Sequence, residues 1–235
     1  LLTSWISMTL AQQTPVKKID DKALKDATKG TEWLSNGMGW SEQRYSTMTQ
    51  INAQNINKLS LAWSYEIGTG NAAGQKTNPL YSNGVLYGVS NWSLVYAVDA
   101  RTGKQLWKYE PDIDPGMRQN PGSRLCCGVN SRGLALYDNK VFVARLDGKL
   151  EALDAATGKV LWSSWAIPEP KPGEISSYSL TMAPRAAKGK VFIGNAGAEF
   201  PPFRGYLSAF DANSGKDRKS TRLNSSHVSE SRMPS

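Results

Sequence analysis

The segment VYAVDARTGKQLW (residues 95–107) recurs as LEALDAATGKVLW (150–162) and LSAFDANSGK (207–216). Each copy alternates apolar and polar residues up to an aspartate and then turns at Thr-Gly-Lys or Ser-Gly-Lys. The first two copies continue into a second stretch that ends in Trp. Because alternation with a period of two is typical of a strand, each copy predicts a β-hairpin. The spacing of about 55 residues indicates a repeat fold built from similar units.

The turn of each hairpin contains the residues that a tight turn needs. An Asp side chain accepts backbone N–H groups there, and a Gly takes positive φ without a steric clash. These residues are Asp99, Asp154 and Asp211 with Gly103, Gly158 and Gly215. Trp107 and Trp162 follow their aspartates at the same interval, and we expect each ring to pack against the next unit. Lys219 stands where the third Trp would be.

Another strand pair precedes each hairpin. The segments SNGVLYGVS (82–90), DNKVFVARL (138–146) and KGKVFIGNA (188–196) run from a turn into β-branched and aromatic residues. Four strands per repeat predict an all-β fold, a β-propeller of four-stranded blades of which about three to four are present. The third repeat carries extra residues, AGAEFPPFRG (196–205), in a loop. LSLAWSYEI (59–67) is predicted to be an additional outer strand.

The two ends of the chain differ from the repeats. Residues 1–11 resemble the end of a signal peptide, with an ordinary exposed N-terminus as the alternative, so export to the periplasm is expected. The stretch DRKSTRLNSSHVSESRMPS (217–235) is similar to the translation of a sequencing-library adapter. We therefore assign 12–216 to the partial propeller and 217–235 to a non-native tail outside the fold, which makes His227 a non-biological residue.

The composition narrows the class of partners. The formal net charge is +8, but the basic residues are scattered and form no run, which argues against nucleic acid as a partner. No apolar run is long enough to cross a membrane. Cys126 and Cys127 are the two cysteines of the chain. In an exported protein a disulfide between these neighbours is favoured, and a reduced pair is the alternative. A zinc site lacks further ligands.

Four segments together resemble the quinoprotein alcohol dehydrogenases, the family of methanol and ethanol dehydrogenases that use pyrroloquinoline quinone (PQQ). They are LCCGVNSRG (125–133), SLTMAPR (179–185), GNAGAEF (194–200) and RGYLSAFDANSGK (204–216), and the resemblance covers about residues 30–216. It implies an eight-bladed propeller, of which this chain is an N-terminal part.

The resemblance also implies a site. A Cys126–Cys127 disulfide would stack on the cofactor ring, while Arg132 and the Thr181 hydroxyl would bind cofactor oxygens. Small residues would let the backbone approach the cofactor closely at Ala196, Gly197 and Ala198. Glu199 would bind the metal ion, calcium or a lanthanide. Two positions depart from the family pattern, since Lys76 stands where many members have Glu and Ala196 where many have Ser.

The implied reaction is the oxidation of a primary alcohol to its aldehyde, with PQQ and a metal ion as the hydride-accepting site and a c-type cytochrome as electron acceptor. The family's general base is an Asp in a later blade, so no catalytic residue is assigned to this chain, which is expected to be inactive alone. Two alternatives use similar repeats. One is a non-catalytic scaffold propeller of outer-membrane assembly, and the other is a PQQ-dependent sugar or polyol dehydrogenase.

Overall fold

The computed structural model describes residues 18–67, 75–113, 117, 125, 128–171, 174, 176–197 and 204–222. Within these residues, twelve strands form three antiparallel four-stranded sheets in chain order. Blade 1 comprises β1 Leu80–Ser82, β2 Val85–Val89, β3 Val95–Asp99 and β4 Gln105–Tyr109. Blade 2 comprises β5 Ala135–Tyr137, β6 Lys140–Ala144, β7 Lys149–Asp154 and β8 Val160–Trp165. Blade 3 comprises β9 Arg185–Ala187, β10 Lys190–Gly194, β11 Tyr206–Asp211 and β12 Asp217–Arg222. The all-β propeller prediction is confirmed.

The repeated turn has the predicted hydrogen bonds. Asp99 Oδ1 accepts the Thr102 N–H at 2.8 Å, and Asp154 Oδ1 accepts the Thr157 N–H at the same distance. Asp211 Oδ1 accepts the Ser214 N–H at 3.0 Å. The glycines that follow have φ between 69° and 72°, in the left-handed region that a Cβ disfavours. The Asp and Gly of the repeat therefore determine the conformation of the turn between the third and fourth strands of every blade.

Tryptophans join one blade to the next. The Trp107 indole N–H donates to Ala155 O at 3.0 Å, and that of Trp162 donates to Ala212 O at 3.2 Å. Each ring lies against the turn glycine of the following blade, so a Cβ on Gly158 would come within 2.6 Å of the Trp107 ring. Trp63 contacts blade 1 in the same way, through Gly103. The predicted packing of Trp107 and Trp162 is confirmed.

Apolar residues fill the spaces between the blades. One buried cluster joins blade 1 to blade 2 through residues such as Val95, Trp107 and Val141. A second joins blade 2 to blade 3 through Phe142 and Phe210, among others. The first cluster also includes Leu24 of the short helix α1, Asp21–Lys25, which precedes the blades. No helix in the described part of the chain has both the length and the apolarity to span a membrane.

Residues 18–34, which we call the strap, contact the same turn in all three blades. This turn joins the first two strands of each blade. In blade 1 Glu32 Oε1 accepts the Asn83 N–H at 2.8 Å. In blade 2 the Asp138 N–H donates to Ile19 O at 2.7 Å. In blade 3 Asp21 Oδ1 accepts the Lys188 N–H at 2.6 Å. The strap thus connects blades that are distant in sequence.

Two segments differ from the sequence expectations. Residues 217–222, assigned above to a tail outside the fold, form β12 and pair with β11. A strand needs only main-chain partners, and the turn at Asp211 directs any following residues along the free edge of β11. Conversely, residues 59–67 are not assigned to a strand, although Trp63 and Tyr65 pack against blade 1. The non-native origin of 217–235 and the signal-peptide assignment of 1–11 stay predictions.

Candidate functional site

Three segments that carry predicted site residues meet at one end of blades 2 and 3. The Arg132 N–H donates to Thr181 O at 3.0 Å, and Arg132 Nη1 lies 3.4 Å from the same oxygen. Ser179 and Ala196 exchange two main-chain hydrogen bonds, at 2.8 and 3.2 Å. Backbone contacts therefore link the segments that carry Arg132, Thr181 and Ala196, which are far apart in the chain. The structure brings together the described members of the predicted cofactor site.

Gly197 is needed for the packing of the chain itself. Its φ is 102°, and a Cβ there would lie 2.3 Å from the Ser177 carbonyl oxygen. Any side chain would push apart the segments that Ser179 and Ala196 hold together. The small residue at this position was predicted to admit a cofactor. In the structure the backbone that comes close belongs to residues 177–178.

Two buried side-chain atoms, one in the Ser179 segment and one next to Trp92, have no partner among the described residues. Ser179 Oγ and Asn91 Nδ2 are buried without a hydrogen bond, and the two residues are 0% and 1% exposed. Buried polar atoms are normally paired, so unpaired ones call for a ligand or water. The forked guanidinium of Arg132 and the Thr181 hydroxyl are donors suited to carboxylate and carbonyl oxygens. This donor set fits the tricarboxylate quinone that the sequence resemblance implies.

A strained backbone supports the segment that carries Arg132. Trp92 and Ser93 are consecutive non-glycine residues with φ of 59° and 58°. The Trp92 N–H donates to Val129 O at 3.0 Å, and Ser93 Oγ lies 3.4 Å from Ser131 Oγ. Left-handed non-glycine residues are costly, and they cluster at functional sites. Sequence reasoning missed this pair, since Trp-Ser has no signal for positive φ.

The extra loop of the third repeat is held at both ends. The Tyr206 N–H donates to Asn195 Oδ1 at 2.5 Å, and the Arg204 N–H donates to the Tyr178 hydroxyl at 3.2 Å. Tyr178 and Tyr206 also pack edge to face, with ring centroids 5.4 Å apart. The longer connection in this blade, between Gly194 and Tyr206, is as the sequence predicts.

Four of the predicted site residues lie outside the described residues, namely Cys126, Cys127, Ala198 and Glu199. In the described part of the chain, no three His, Cys, Asp or Glu side chains gather as a metal site would require. Lys76 is described and exposed. The preceding Gln75 donates through Nε2 to Ser90 Oγ at 2.8 Å, which brings this segment to the start of the strained turn.

Known proteins match the part of the chain that contains the three blades. A family model described as "Glucose/ethanol/alcohol dehydrogenase, beta-propeller domain" matches residues 33–220. The dehydrogenase subunit of the quinone-dependent alcohol dehydrogenase of Gluconobacter oxydans (strain 621H) is 52% identical over 186 residues, 79% of this chain and 24% of the relative.

Solved structures agree with this match. The quinohemoprotein alcohol dehydrogenase from Comamonas testosteroni superposes with a TM-score of 0.78 at 40% identity, covering 87% of this chain and 29% of that one. A europium-containing methanol dehydrogenase gives 0.74 at 33% identity, covering 86% and 34%. The chain thus spans roughly a quarter to a third of the length of these relatives.

Proposed function

The chain belongs to the family of PQQ-dependent alcohol dehydrogenases, and on that premise we propose that it forms three blades of a longer periplasmic enzyme that oxidises primary alcohols to aldehydes. The observation that carries the proposal is the junction of the segments that hold Arg132, Thr181 and Ala196, with the unpaired buried hydroxyl of Ser179 in one of them. These residues lie in the segments whose motifs match the family. We refer below to the whole enzyme as the complete gene product.

The described residues bind and orient the cofactor. The Arg132 guanidinium offers a planar fork to a carboxylate or quinone oxygen, which a lysine would contact at a single point. The Thr181 hydroxyl donates to a cofactor carboxylate. The backbone carbonyl of Thr181 accepts the Arg132 N–H. We propose that the backbone of Ala196 and Gly197 borders the ligand, together with that of Ala198, which lies outside the described residues. A bound quinone would supply the hydride acceptor for the alcohol, and a metal ion held by Glu199 would supply Lewis-acid polarisation.

Two further assignments concern residues outside the described part. We propose that Cys126 and Cys127 form a disulfide that covers one face of the cofactor. An unreduced peptide spanning Leu125 to Arg132 is then lighter than its reduced form by the mass of two hydrogens. Labelling of both cysteines as free thiols in periplasmic material would contradict the assignment. No catalytic base is assigned to this chain.

Glu199 is proposed as the metal ligand. Carboxylate oxygens suit a hard cation, either calcium or a lanthanide. We expect Glu199→Ala in the complete gene product to lose bound metal and with it at least tenfold in dye-linked alcohol oxidation. Glu169→Ala, an exposed glutamate in the connection before β9, is the matched control and keeps both. Retention of metal by Glu199→Ala, measured by mass spectrometry of the purified protein, would overturn the assignment.

The substrate and the electron acceptor are also proposals. We assign a c-type cytochrome as acceptor, and the Comamonas relative is itself named a quinohemoprotein. A sugar or polyol substrate is the second candidate, because the matching family description includes glucose. Comparing kcat/KM for ethanol and 1-butanol with that for glucose and glycerol decides between them. A non-catalytic scaffold fits less well, since the matching family model and the relatives named above are dehydrogenases.

The central test uses binding as well as turnover. The complete gene product, freed of metal and cofactor, is titrated with PQQ in the presence of calcium, and ethanol oxidation is followed by dye reduction. Removing a charge-assisted hydrogen bond commonly costs 1.5–3 kcal/mol, so Arg132→Met should weaken PQQ binding by about 10- to 100-fold. Arg101→Met, on the outer turn of blade 1, is the control. Absence of PQQ binding by the wild-type protein would reject the function.

A further inference from the structure

The turn between β6 and β7, residues 145–148, contains a buried arginine. We call it the anchor turn. Arg145 is 6% exposed, and Leu146 is fully buried. Arg145 donates to both carboxylate oxygens of Asp147, through Nε at 3.0 Å and Nη2 at 2.5 Å. Its Nη1 donates to Glu151 Oε1 at 2.7 Å. Asp147 lies within this turn and is the ion-pair partner that closes it.

The network extends to blade 1 through Glu151. The Tyr109 hydroxyl donates to Glu151 Oε2 at 2.5 Å, and Ser163 Oγ donates to Oε1 at 3.0 Å. Burial opposes the charge on Arg145, but the two carboxylates outweigh it and raise its pKa. Burial, together with the charge of Glu151, also raises the pKa of Tyr109. The arginine therefore stays charged and the tyrosine stays a donor at physiological pH.

The same arginine holds the segment that leaves blade 1. Arg145 Nη2 donates to Asp112 O at 2.6 Å, three residues after β4 ends. The next residue, Ile113, is buried in a cluster with Leu146, Leu125 and Val129. The anchor turn thus contacts the described residues near the start of the connection between blades 1 and 2.

The far end of this connection rests on the same turn. The Leu146 N–H donates to Ser93 Oγ at 3.0 Å, and Ser93 Oγ is next to Ser131 Oγ. Ser131 directly precedes Arg132, whose N–H is bound to Thr181 O. A continuous set of contacts therefore leads from Arg145 through Leu146 and Ser93 to the cofactor-binding arginine.

Buried ion pairs contribute little net stability compared with apolar packing, so the geometry they impose is the informative feature. We propose that Arg145 is a positioning residue for Arg132, which it orients through the anchor turn and Ser93. The inference rests on the proposed function, because Arg132 is assigned to the cofactor there. Arg145 has to reach Asp147, Glu151 and Asp112 O at once, which the guanidinium fork does and a lysine ammonium on its flexible stem does not.

The test uses three variants of the complete gene product. Arg145→Lys and Arg145→Met remove the three-way contact, and Tyr109→Phe removes a single hydroxyl from the network without a change of charge. Lys140→Met is the matched control, because Lys140 begins β6 and pairs with Asp138 at the opposite end of the strand. Phe142→Leu is the control for stability, since it trims the core of the same strand.

Two readouts are measured for each variant. Amide hydrogen exchange of the peptide covering 128–137 reports whether the Arg132 N–H stays bound to Thr181. The PQQ dissociation constant of the protein freed of cofactor reports whether the Arg132 side chain is still oriented. We expect both Arg145 variants to accelerate exchange in this peptide and to weaken PQQ binding at least tenfold. Tyr109→Phe should weaken binding about threefold, and both controls should match the wild type.

The outcomes separate the two proposals. Wild-type exchange and PQQ affinity in both Arg145 variants would overturn the positioning role. Equal weakening by Phe142→Leu at the same loss of thermal stability would also overturn it, since the effect would then follow from general destabilisation. If the wild-type protein binds no PQQ, the proposed function fails, while the exchange measurement still tests the contact between the anchor turn and Arg132.

Discussion

The boundary between blades 1 and 2 and the outer edge of blade 3 present the same backbone with different side chains. Trp107 lies opposite Ala97 in blade 1, and Lys219 lies opposite Ala209 in blade 3. Both fourth strands have a β-bulge next to this pair, as does that of blade 2. Trp107 is buried against the next blade, whereas Lys219 is exposed. Forming a blade and joining it to another therefore depend on different residues.

The comparison separates two requirements, one for forming the fourth strand of a blade and one for packing a blade against the next. The turn at the aspartate and the ladder of main-chain bonds produce the fourth strand even when its residues are DRKSTR. Packing between blades needs a flat ring opposite a glycine in the next turn. Three tryptophans have this arrangement, and the residue at the corresponding point of β12 does not.

The largest expected effect comes from removing a ring between blades. Trp107→Ala deletes a buried indole and its bond to Ala155 O, and Trp-to-Ala changes in cores cost about 3–5 kcal/mol. Lys219→Ala, at the same point of blade 3, should change the free energy of unfolding by less than about 0.5 kcal/mol. Urea denaturation of the two variants measures both values. Equal losses would show that the position, not the ring, matters.

A methyl group on the opposing glycine should act nearly as strongly. Gly158→Ala combines a φ of 72° with a Cβ only 2.6 Å from the Trp107 ring, and we expect a loss of about 2–4 kcal/mol. Gly84 has a similar φ of 77°, and an added Cβ would meet nothing within 4 Å. Gly84→Ala should therefore cost only the strain of a left-handed backbone, about 1–2 kcal/mol. In a Trp107→Ala background the two substitutions should cost the same. A persistent difference would mean that the ring contact is not the cause.

The smallest effect depends on pH. Tyr87 packs on Trp107, as Phe142 packs on Trp162. Burial, and then the charge of Asp154, raise the pKa of Tyr87 to about 12. A raised pKa means that the folded state keeps the proton, so this stabilisation is complete below pH 10 and declines from pH 10 to 12.

Between pH 9 and pH 11 the contribution of Tyr87 to the free energy of unfolding falls by about 1.4 kcal/mol. Tyr87→Phe makes the contact resemble that of blade 2 and should remove this share of the alkaline loss. Unfolding free energies of the wild type and the variant at pH 9, 10 and 11 provide the measurement. Parallel curves for the two proteins would exclude Tyr87 as a source of the pH dependence.

Local chemistry made most of the fold predictable. The Asp turns, the strands that follow them and the packing of Trp107 depend on neighbours in sequence or on the repeat itself. The strand β12 was missed because its residues carry no alternation, and the main-chain edge that pairs with it is visible only in the folded sheet. Residues 59–67 were assigned as a strand from their composition, which says nothing about the presence of a pairing partner.

The site was predictable to a smaller extent. The family motifs predicted Arg132, Thr181, Ala196 and Gly197 as site residues, and the structure links their segments. Their roles stay predictions. The role of Arg145 was not predictable, because its partner Asp112 lies 33 residues away and is contacted through a carbonyl that every residue type possesses. The strain at Trp92 likewise arises from tertiary contacts with Val129, which no local pattern encodes.

The strap has a consequence for the timing of synthesis. Asp21 is made early, yet the Lys188 N–H that it accepts comes 167 residues later. At ribosomal speeds of about 5–20 residues per second, the strap waits roughly 10–30 s for its partner in blade 3. Its apolar residues Ile19, Leu24 and Leu34 pack with blades 1 and 2, so they can be buried before blade 3 is made. The strap therefore connects the three blades only after blade 3 has emerged from the ribosome.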